Sequence, residues 1–333
     1  MRNYSSEDFI MDSFAYSFDS ISLLPRKSKL DSRSKADTRQ MLGKNKFNLP
    51  VIPSNMQCVI DQKLAKDLSE SDHFYIMHRY NVDVEEFVHT ANEENWKTIS
   101  VSIGARDIET TLLDRMAASG YRIDYLTIDV AHGHSDAMLY MIRCIRDHYP
   151  DTFLICGNVA TQGAVGDLQD WGADAIKVGI GGGSPCSTKH KTGFTCPMFT
   201  CIQDCATIAK VPLIADGGIK HNGDIAKSLV AGATFAMAGS LFAACNDSPA
   251  ESIYPGPNSS GFTGYRKRYF GSASYQNKGY KKHIEGFETL IPGNNMSYAE
   301  KLEELKQDIQ SSISYAGGTD LTAMDRVYYV INK

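Results

Sequence analysis

The sequence predicts an α/β fold, a (β/α)8 TIM barrel carrying a long excursion near its C-terminal end. Three observations predict it: short apolar runs, many rich in Val and Ile; helix-length stretches between them; and a nearly regular beat. The runs are LPVIPSN (49–55), FYIMH (74–78), TISVSIG (98–104), YLTIDVA (125–131), FLICGNV (153–159), AIKVGI (175–180), PLIADGG (212–218) and FAMAGS (235–240). Their hydrophobicity is continuous rather than alternating, as parallel strands covered on both faces require. Their starts lie about 22 to 37 residues apart, a usual size for a βα unit. Eight such units in one series fit a closed barrel better than an open doubly wound sheet.

Taken in order, the first run is followed by DQKLAKDLSES, the second by VEEFVHTANEEN and the fourth by SDAMLYMIRCIRDHY, all with helical spacing. Two later connections end in WGAD (171–174) and AGAT (231–234), where the glycine terminates a helix just before the next strand. The longest gap follows AIKVGI and holds the stretch KVGIGGGSPCSTKHKTG (177–193). After residue 245 the beat stops. Residues 246–295, rich in Gly, Ser, Pro and Tyr, read as a mobile flap, with a bland surface insertion as the alternative. MSYAEKLEELKQDIQSSI (296–313) then forms a closing helix, and 296–333 is helix and tail. The whole of 1–333 reads as one domain.

With 42% hydrophobic residues in 333, the chain can bury a large core. A net charge of −5 and a pI of about 6.0 carry no nucleic-acid footprint. The eight cysteines are scattered, no secretory signal opens the chain, and no apolar run approaches the ~20 residues that span a bilayer. A reduced cytoplasmic protein without membrane contact is expected. Cys196, Cys201 and Cys205 match no common zinc spacing, and His132 and His134 have no further ligand nearby in sequence.

Barrels place their chemistry on the loops after the strands. In the seventh and eighth units, ADGGI (215–219) and AGSLF (238–242) put glycine and small residues there, where backbone N–H groups bind phosphate. Asp216, at a strand end, then suits ribose hydroxyls. After the sixth strand, Cys186 sits in a glycine loop with Lys189, His190 and Lys191 downstream and the Thr188 hydroxyl two residues away. Nearby positive charge and exposure favour a reactive thiolate, so Cys186 is the candidate nucleophile; a merely packed cysteine is the alternative. The glycine carbonyls also suit a monovalent cation, although composition alone does not show one.

KVGIGGGSPCSTKHKTG, together with IADGGIKHNGDIAKSLVAGA and the tail QSSISYAGG, resembles the IMP dehydrogenase/GMP reductase family. The resemblance extends through SLLPRKSKLDSRSKAD, LPVIPSNMQ, YIMHRY, TIDVAHGHSD and GNVAT, nearly the whole chain. It implies that the cysteine attacks C2 of a purine nucleotide and forms a covalent thioimidate. On the reductase side of the family, GMP then loses its amino group as ammonia, NADPH delivers hydride, and IMP leaves. Family dehydrogenases usually carry CBS modules after the second unit, and the spacing here leaves no room for them. The arginine–tyrosine pair of dehydrogenase flaps has no obvious match in GYKKHIEGFETLIP, whereas Glu285-Gly286 matches the reductase position.

The resemblance therefore implies Cys186 as nucleophile, with Thr188 and Glu285 as the proton-handling pair. It assigns phosphate contacts to Ser184, Gly217, Gly218, Gly239 and Ser240, and lays Gly271 and Ser272 over the purine. Asp129 and Ala131 are implied near the nicotinamide, with Arg79, Arg26 and Lys27 as partners for a 2′-phosphate. Potassium is implied on the carbonyls of Gly181, Gly183 and Cys186, and a homotetramer is expected. Two alternatives stand: an IMP dehydrogenase lacking CBS modules, and a non-catalytic purine-nucleotide-binding barrel. Three departures are visible, one being FTCPMFTCIQ downstream, which differs from the glycine-rich family version. Gly182 replaces the family's proline, which loosens the loop through chain entropy. Phe270 replaces a tyrosine before the flap glycine, which removes a hydroxyl.

Overall fold

In a computed structural model, which describes residues 14–254, 264–271, 274–275 and 285–332, the chain forms the expected barrel. Seven parallel strands lie side by side in the order Ser100–Ile103, Tyr125–Asp129, Phe153–Val159, Ala175–Val178, Leu213–Asp216, Phe235–Ala238 and Val51–Pro53. The last strand in sequence thus pairs with the first, Ala236 opposite Val51 and Ala238 opposite Pro53. At the other end of the sheet the second apolar run makes one parallel bridge, Met77 to Val101. The Met77 N–H donates to the Ser100 carbonyl (3.1 Å), and the Ser102 N–H donates to the Met77 carbonyl (2.9 Å).

The second run was expected as a full strand and is instead this single bridge. Tyr75 supplies the reason. Its phenol donates to the Thr98 carbonyl (2.8 Å) and accepts the Ser100 N–H (3.4 Å), so a side chain serves backbone groups that a ladder would use.

Apolar side chains fill the barrel interior. Phe47, Phe74, Tyr125 and Phe235 form an aromatic cluster with Ile52, Ile155 and Ile214, all buried. The Phe74 ring lies 5.0 Å from Phe47 and 4.8 Å from Tyr125, centroid to centroid. Phe47 and Leu42 come from an antiparallel hairpin, Gln40–Leu42 with Asn45–Phe47, and the Tyr125 hydroxyl donates to the Leu42 carbonyl (2.8 Å). The hairpin thus plugs the end of the barrel remote from the strand C-termini, and the site can open only at the other.

The outer helices start where the sequence offers caps. Asp61, Ser135 and Thr161 each accept an N–H of the first turn, and Gly172, at φ 114°, ends Gln162–Trp171 as expected. The closing helix runs Tyr298–Tyr315, with Ser297 and Glu300 forming a reciprocal capping box. The sequence did not point to the strand Ile21–Leu23, which pairs with Tyr329–Ile331 and joins the two ends of the described chain. Among the described residues, no helix is long and apolar enough to cross a membrane.

The excursion over 246–295 contains a three-stranded antiparallel sheet: Ser252–Ile253, Arg266–Phe270 and Glu288–Pro292. The basic run RKRYF is its central strand. Lys267 is buried there, and its ammonium donates to the carbonyls of Asn246 (3.2 Å), Ser248 (3.4 Å) and Ala250 (3.0 Å), anchoring the sheet on the segment that leaves the eighth unit. Replacing Lys267 by methionine leaves these carbonyls without their donor. We expect it to lower unfolding stability in urea by about 1–3 kcal/mol. A loss within a few tenths of a kcal/mol would show that the anchor is dispensable.

Candidate active site

At the C-terminal ends of the strands a cavity of about 360 Å³ opens. It is lined by the loops after the first, second, fourth, fifth, sixth, seventh and eighth strands, and by Tyr269, Gly271, Glu285 and Gly286 of the excursion. Closure of the sheet makes these loops converge; none is adjacent in sequence.

The loop after the sixth strand is shaped by close backbone contact. Gly179 lies at φ 142°, and a Cβ there would overlap the carbonyl of Asp216. Gly217, at φ 114°, abuts the Gly182 carbonyl carbon and the Gly183 nitrogen, each 3.1 Å from where its Cβ would stand. The loops after strands six and seven thus pack backbone on backbone. Gly182 is crowded by a side chain: a Cβ would lie 2.7 Å from Met198 Cγ and 2.8 Å from its Sδ. Met198 fills the space beside the glycine, so the loop is braced there and not merely loosened.

Cys186 stands at the end of this loop, its N–H donating to the Gly183 carbonyl (3.0 Å). An antiparallel bridge to Gly286 holds it: the Ser187 N–H donates to the Glu285 carbonyl (2.7 Å) and the Phe287 N–H to the Pro185 carbonyl (2.9 Å). That bridge brings together three side chains far apart in sequence. The Cys186 thiol donates to Thr188 Oγ1 (3.1 Å), and the Thr188 hydroxyl donates to Glu285 Oε2 (2.7 Å). A thiol, a hydroxyl and a carboxylate in series can move a proton away from sulfur or toward a leaving group. Cys186 is half-buried and faces the cavity. By contrast, burial pushes the Cys58 thiol up to about 12 and the Cys245 thiol up to about 11, which keeps both protonated near neutrality.

Deeper in the cavity lies a cluster of fixed charge. Lys177, 1% exposed, donates to Asp129 Oδ1 (2.8 Å) and Asn55 Oδ1 (3.2 Å), and its Nζ is 3.1 Å from Asp216 Oδ2. Asn55 Nδ2 donates to Asp129 Oδ2 (3.1 Å), and Asn158 Nδ2 donates to Asp216 Oδ2 (2.8 Å) and the Gly179 carbonyl (2.9 Å). Burial opposes ionisation of Asp129, but the ammonium of Lys177 and its hydrogen bond outweigh burial and hold the carboxyl below its usual range. For Lys177 the two carboxylates likewise outweigh burial and hold the ammonium above its usual range. Lys177, Asn55 and Asn158 escaped the sequence reading. The signal was one lysine in the apolar run AIKVGI and an asparagine at two strand ends.

Toward the other end, Ser184, Gly217, Gly218, Gly239 and Ser240 all line the cavity. The hydroxyl of Tyr269 crowds the position a Gly239 Cβ would take, and Ser54 Oγ lies 3.3 Å from it. Its hydrogen-bond partner is the Met56 sulfur at 3.9 Å, a weak acceptor, so this buried hydroxyl remains available to a ligand. Phe270 does remove a hydroxyl from its own position, and the neighbouring Tyr269 presents one to the cavity. Gly271 lines the wall, while Ser272 lies outside the described residues.

The residues expected near a nicotinamide divide. Asp129, Ala131 and Arg79 line the cavity, and Arg79 Nη2 donates to the Asp129 carbonyl (3.2 Å). Arg26 and Lys27 lie away from it, against the C-terminal segment. The Arg26 N–H donates to the Tyr315 carbonyl and its Nη1 to the Arg326 carbonyl, both 2.8 Å. Of the expected cation ligands, the Gly183 carbonyl already accepts the Cys186 N–H and keeps one lone pair. The carbonyls of Gly181 and Cys186 accept no hydrogen bond among the described residues. Among those residues no cluster of three His, Cys, Asp or Glu side chains suits a transition metal.

A family model described as the IMP dehydrogenase / GMP reductase domain matches residues 15–332. The chain is 45% identical over 321 residues to a GMP reductase of Helicobacter pylori, covering 96% of each chain. It is 44% identical over 320 residues to one of Bacillus anthracis, again covering 96% of each. A GMP reductase of Leptothrix cholodnii is 43% identical over 318 residues, 95% of each. The chain belongs to the IMP dehydrogenase/GMP reductase family.

The contact between Gly182 and Met198 gives a direct test of how the cysteine loop is braced. Gly182→Ala is expected to lower stability by about 1 kcal/mol or more through overpacking. Met198→Ala in the same chain should recover most of that loss, giving a coupling of about 1 kcal/mol in a double-mutant cycle measured by denaturation. Additive losses would show that the two do not share the space.

Proposed function

We propose that this chain catalyses the reductive deamination of GMP to IMP and ammonia, with NADPH as reductant, through a covalent thioimidate between Cys186 and purine C2. The observation that carries the reading is the continuous hydrogen-bonded series Cys186–Thr188–Glu285 on a cavity with glycine loops at its far end. Relatives at 43–45% identity over nearly the whole chain that are named GMP reductases support the direction of reaction.

In this reading the phosphate sits against Gly217, Gly218, Gly239, Ser240 and Ser184, with the hydroxyl of Tyr269 as a further donor. Asp216 takes the ribose hydroxyls, and the purine reaches across to Cys186. The thiol proton passes through Thr188 to Glu285 as sulfur bonds to C2. The same series returns a proton to the amino group as the C2–N bond breaks and ammonia leaves. Bound NADPH supplies hydride to C2, and breaking the C–S bond then releases IMP and the Cys186 thiolate. GMP, NADPH and two protons give IMP, NADP⁺ and ammonium.

The residues present fit both implied groups. Among the described residues, Arg79 Nε and Asn158 Oδ1 are buried without a hydrogen-bond partner, leaving one donor and one acceptor for polar groups of the nicotinamide nucleotide. Asp129 and Ala131 would lie beside its nicotinamide. Potassium suits the irregular carbonyls of Gly181, Gly183 and Cys186, where it would fix the loop that presents the thiol. A homotetramer completes the reading.

Purified protein mixed with GMP and NADPH should consume NADPH, followed at its absorbance band. Turnover only with IMP and NAD would replace this reading with the dehydrogenase one, and GMP binding without turnover would leave a binding protein. Cys186→Ala should abolish turnover and leave GMP binding within a few-fold. Glu285→Gln and Thr188→Val should each lower kcat by about 100-fold or more, the usual scale for losing positioned acid–base catalysis. A Cys186→Ala variant that keeps turnover would remove the covalent step.

A further inference from the structure

We propose that Lys177 is the positioning residue of this site, one buried ammonium that locks the carboxylates of Asp129 and Asp216 in place and so joins its two halves. The proposal rests on the reading above for the identity of the ligands, and on geometry for the role.

The geometry begins with an anomaly of sequence. In the strand Ala175–Val178 every residue is buried, and one of the four is a lysine. A charged lysine is rarely fully buried unless it is paired. Here the pairing is complete. An ammonium has three N–H donors, and the Nζ of Lys177 faces three oxygens: Asp129 Oδ1 at 2.8 Å, Asp216 Oδ2 at 3.1 Å and Asn55 Oδ1 at 3.2 Å. Only the weak acceptor Met237 Sδ lies beyond them, at 3.8 Å. No donor is left over for a substrate, and an ammonium held by two carboxylates is a poor base or nucleophile. Lys177 therefore acts through its partners.

What it does to them differs. Asp129 has both carboxylate oxygens engaged, Oδ1 by Lys177 and Oδ2 by Asn55, so the group is fixed in place. Asp216 has Oδ2 clamped from two strands, by Lys177 and Asn158, while Oδ1 accepts no hydrogen bond among the described residues. Clamping one oxygen aims the other, and Asp216 lines the cavity. One ammonium thus orients the carboxylate offered to the nucleotide and the one expected beside the nicotinamide. Among the described residues, the other charged or titratable groups facing the cluster are Arg79, which lies near Asp129, and the buried Tyr269, which lies near Asp216. Arg79 donates to the Asp129 backbone and does not replace the lysine at either carboxylate. Without Lys177 two partly buried carboxylates share one pocket with no ammonium between them, which favours a proton on one.

Lys177→Met and Lys177→Arg test this. In the methionine variant the KM for GMP should rise about ten-fold or more, and the acid limb of kcat/KM should move up by about one pH unit or more. Its infrared spectrum at neutral pH should gain the carbonyl stretch of a protonated carboxyl that the parent chain lacks. The arginine variant keeps the charge but not the placement of the donors, so its KM should rise while the acid limb stays where it was. A folded methionine variant with an unshifted acid limb, or without the carboxyl band, would overturn the proposal. If that variant does not fold, the arginine variant decides alone: an unchanged KM for GMP refutes the positioning role. Should the parent chain turn over no GMP with NADPH, the functional reading fails, and the infrared band still judges Lys177.

Discussion

Pairing of the first barrel strand with the last is the constraint on which the rest depends. Ala236 opposite Val51 and Ala238 opposite Pro53 join the last strand to the first, and the Met77–Val101 bridge adds the second run at the other end of the curled sheet. Closure turns eight separated loops into one rim, because parallel strands all present their C-terminal ends on the same face. It also leaves an interior that side chains must fill. The hairpin carrying Leu42 and Phe47 completes that filling at the opposite end, beneath the rings of Phe74 and Tyr125. A cavity can then form only where the filling stops, above Lys177 and Met237, and Cys186, Asp216 and Gly239 meet there.

Within that rim, two loops are built to touch each other before they touch a ligand. Gly179 and Gly217 adopt positive φ, and each lies where a Cβ would strike the backbone of the other loop. The contact carries position from the seventh strand to the cysteine. It also changes the meaning of Gly182. Read as sequence, a glycine in place of proline loosens the loop. In the fold, Met198 occupies the space that a side chain at 182 would need, so rigidity comes from packing at one site instead of a restricted φ at another. Chain entropy and packing act on the same loop, and a single-residue reading sees only the first.

The barrel was legible because it rests on patterns that sequence displays directly: apolar runs of strand length, glycines ending helices, and a steady beat. The second strand was over-read because nothing in FYIMH announces that the Tyr75 phenol will take over backbone partners. Cys186, Thr188 and Glu285 were legible as residues, through the loop and the family resemblance. Their series of contacts was not, since it depends on a bridge between Cys186 and Gly286 across about 100 positions of sequence. Tyr269 was missed for a different reason. In an alternating strand with Lys267 and Tyr269 buried, the neighbour of the expected position is the one that faces inward. The lysine in AIKVGI was visible throughout, and only burial reveals that its charge must be answered from two other strands.

The site therefore holds two ionisable systems of opposite design. In one, the buried Lys177 ammonium faces three oxygens, and the carboxylates of Asp129 and Asp216 are held by it; moving a proton there would strand a buried charge. In the other, a thiol, a hydroxyl and a carboxylate stand in series at 3.1 and 2.7 Å, where moving a proton along the series ends with it on Glu285 and requires no new buried charge pair. The fixed system suits orientation, and the mobile one suits chemistry. Both share the barrel rim but not a hydrogen bond among the described residues, so a proton can move along the Cys186 series while Asp216 stays where the clamp on its Oδ2 holds it. Under the proposed function, that separation would keep a nucleotide in register through successive events at a single carbon.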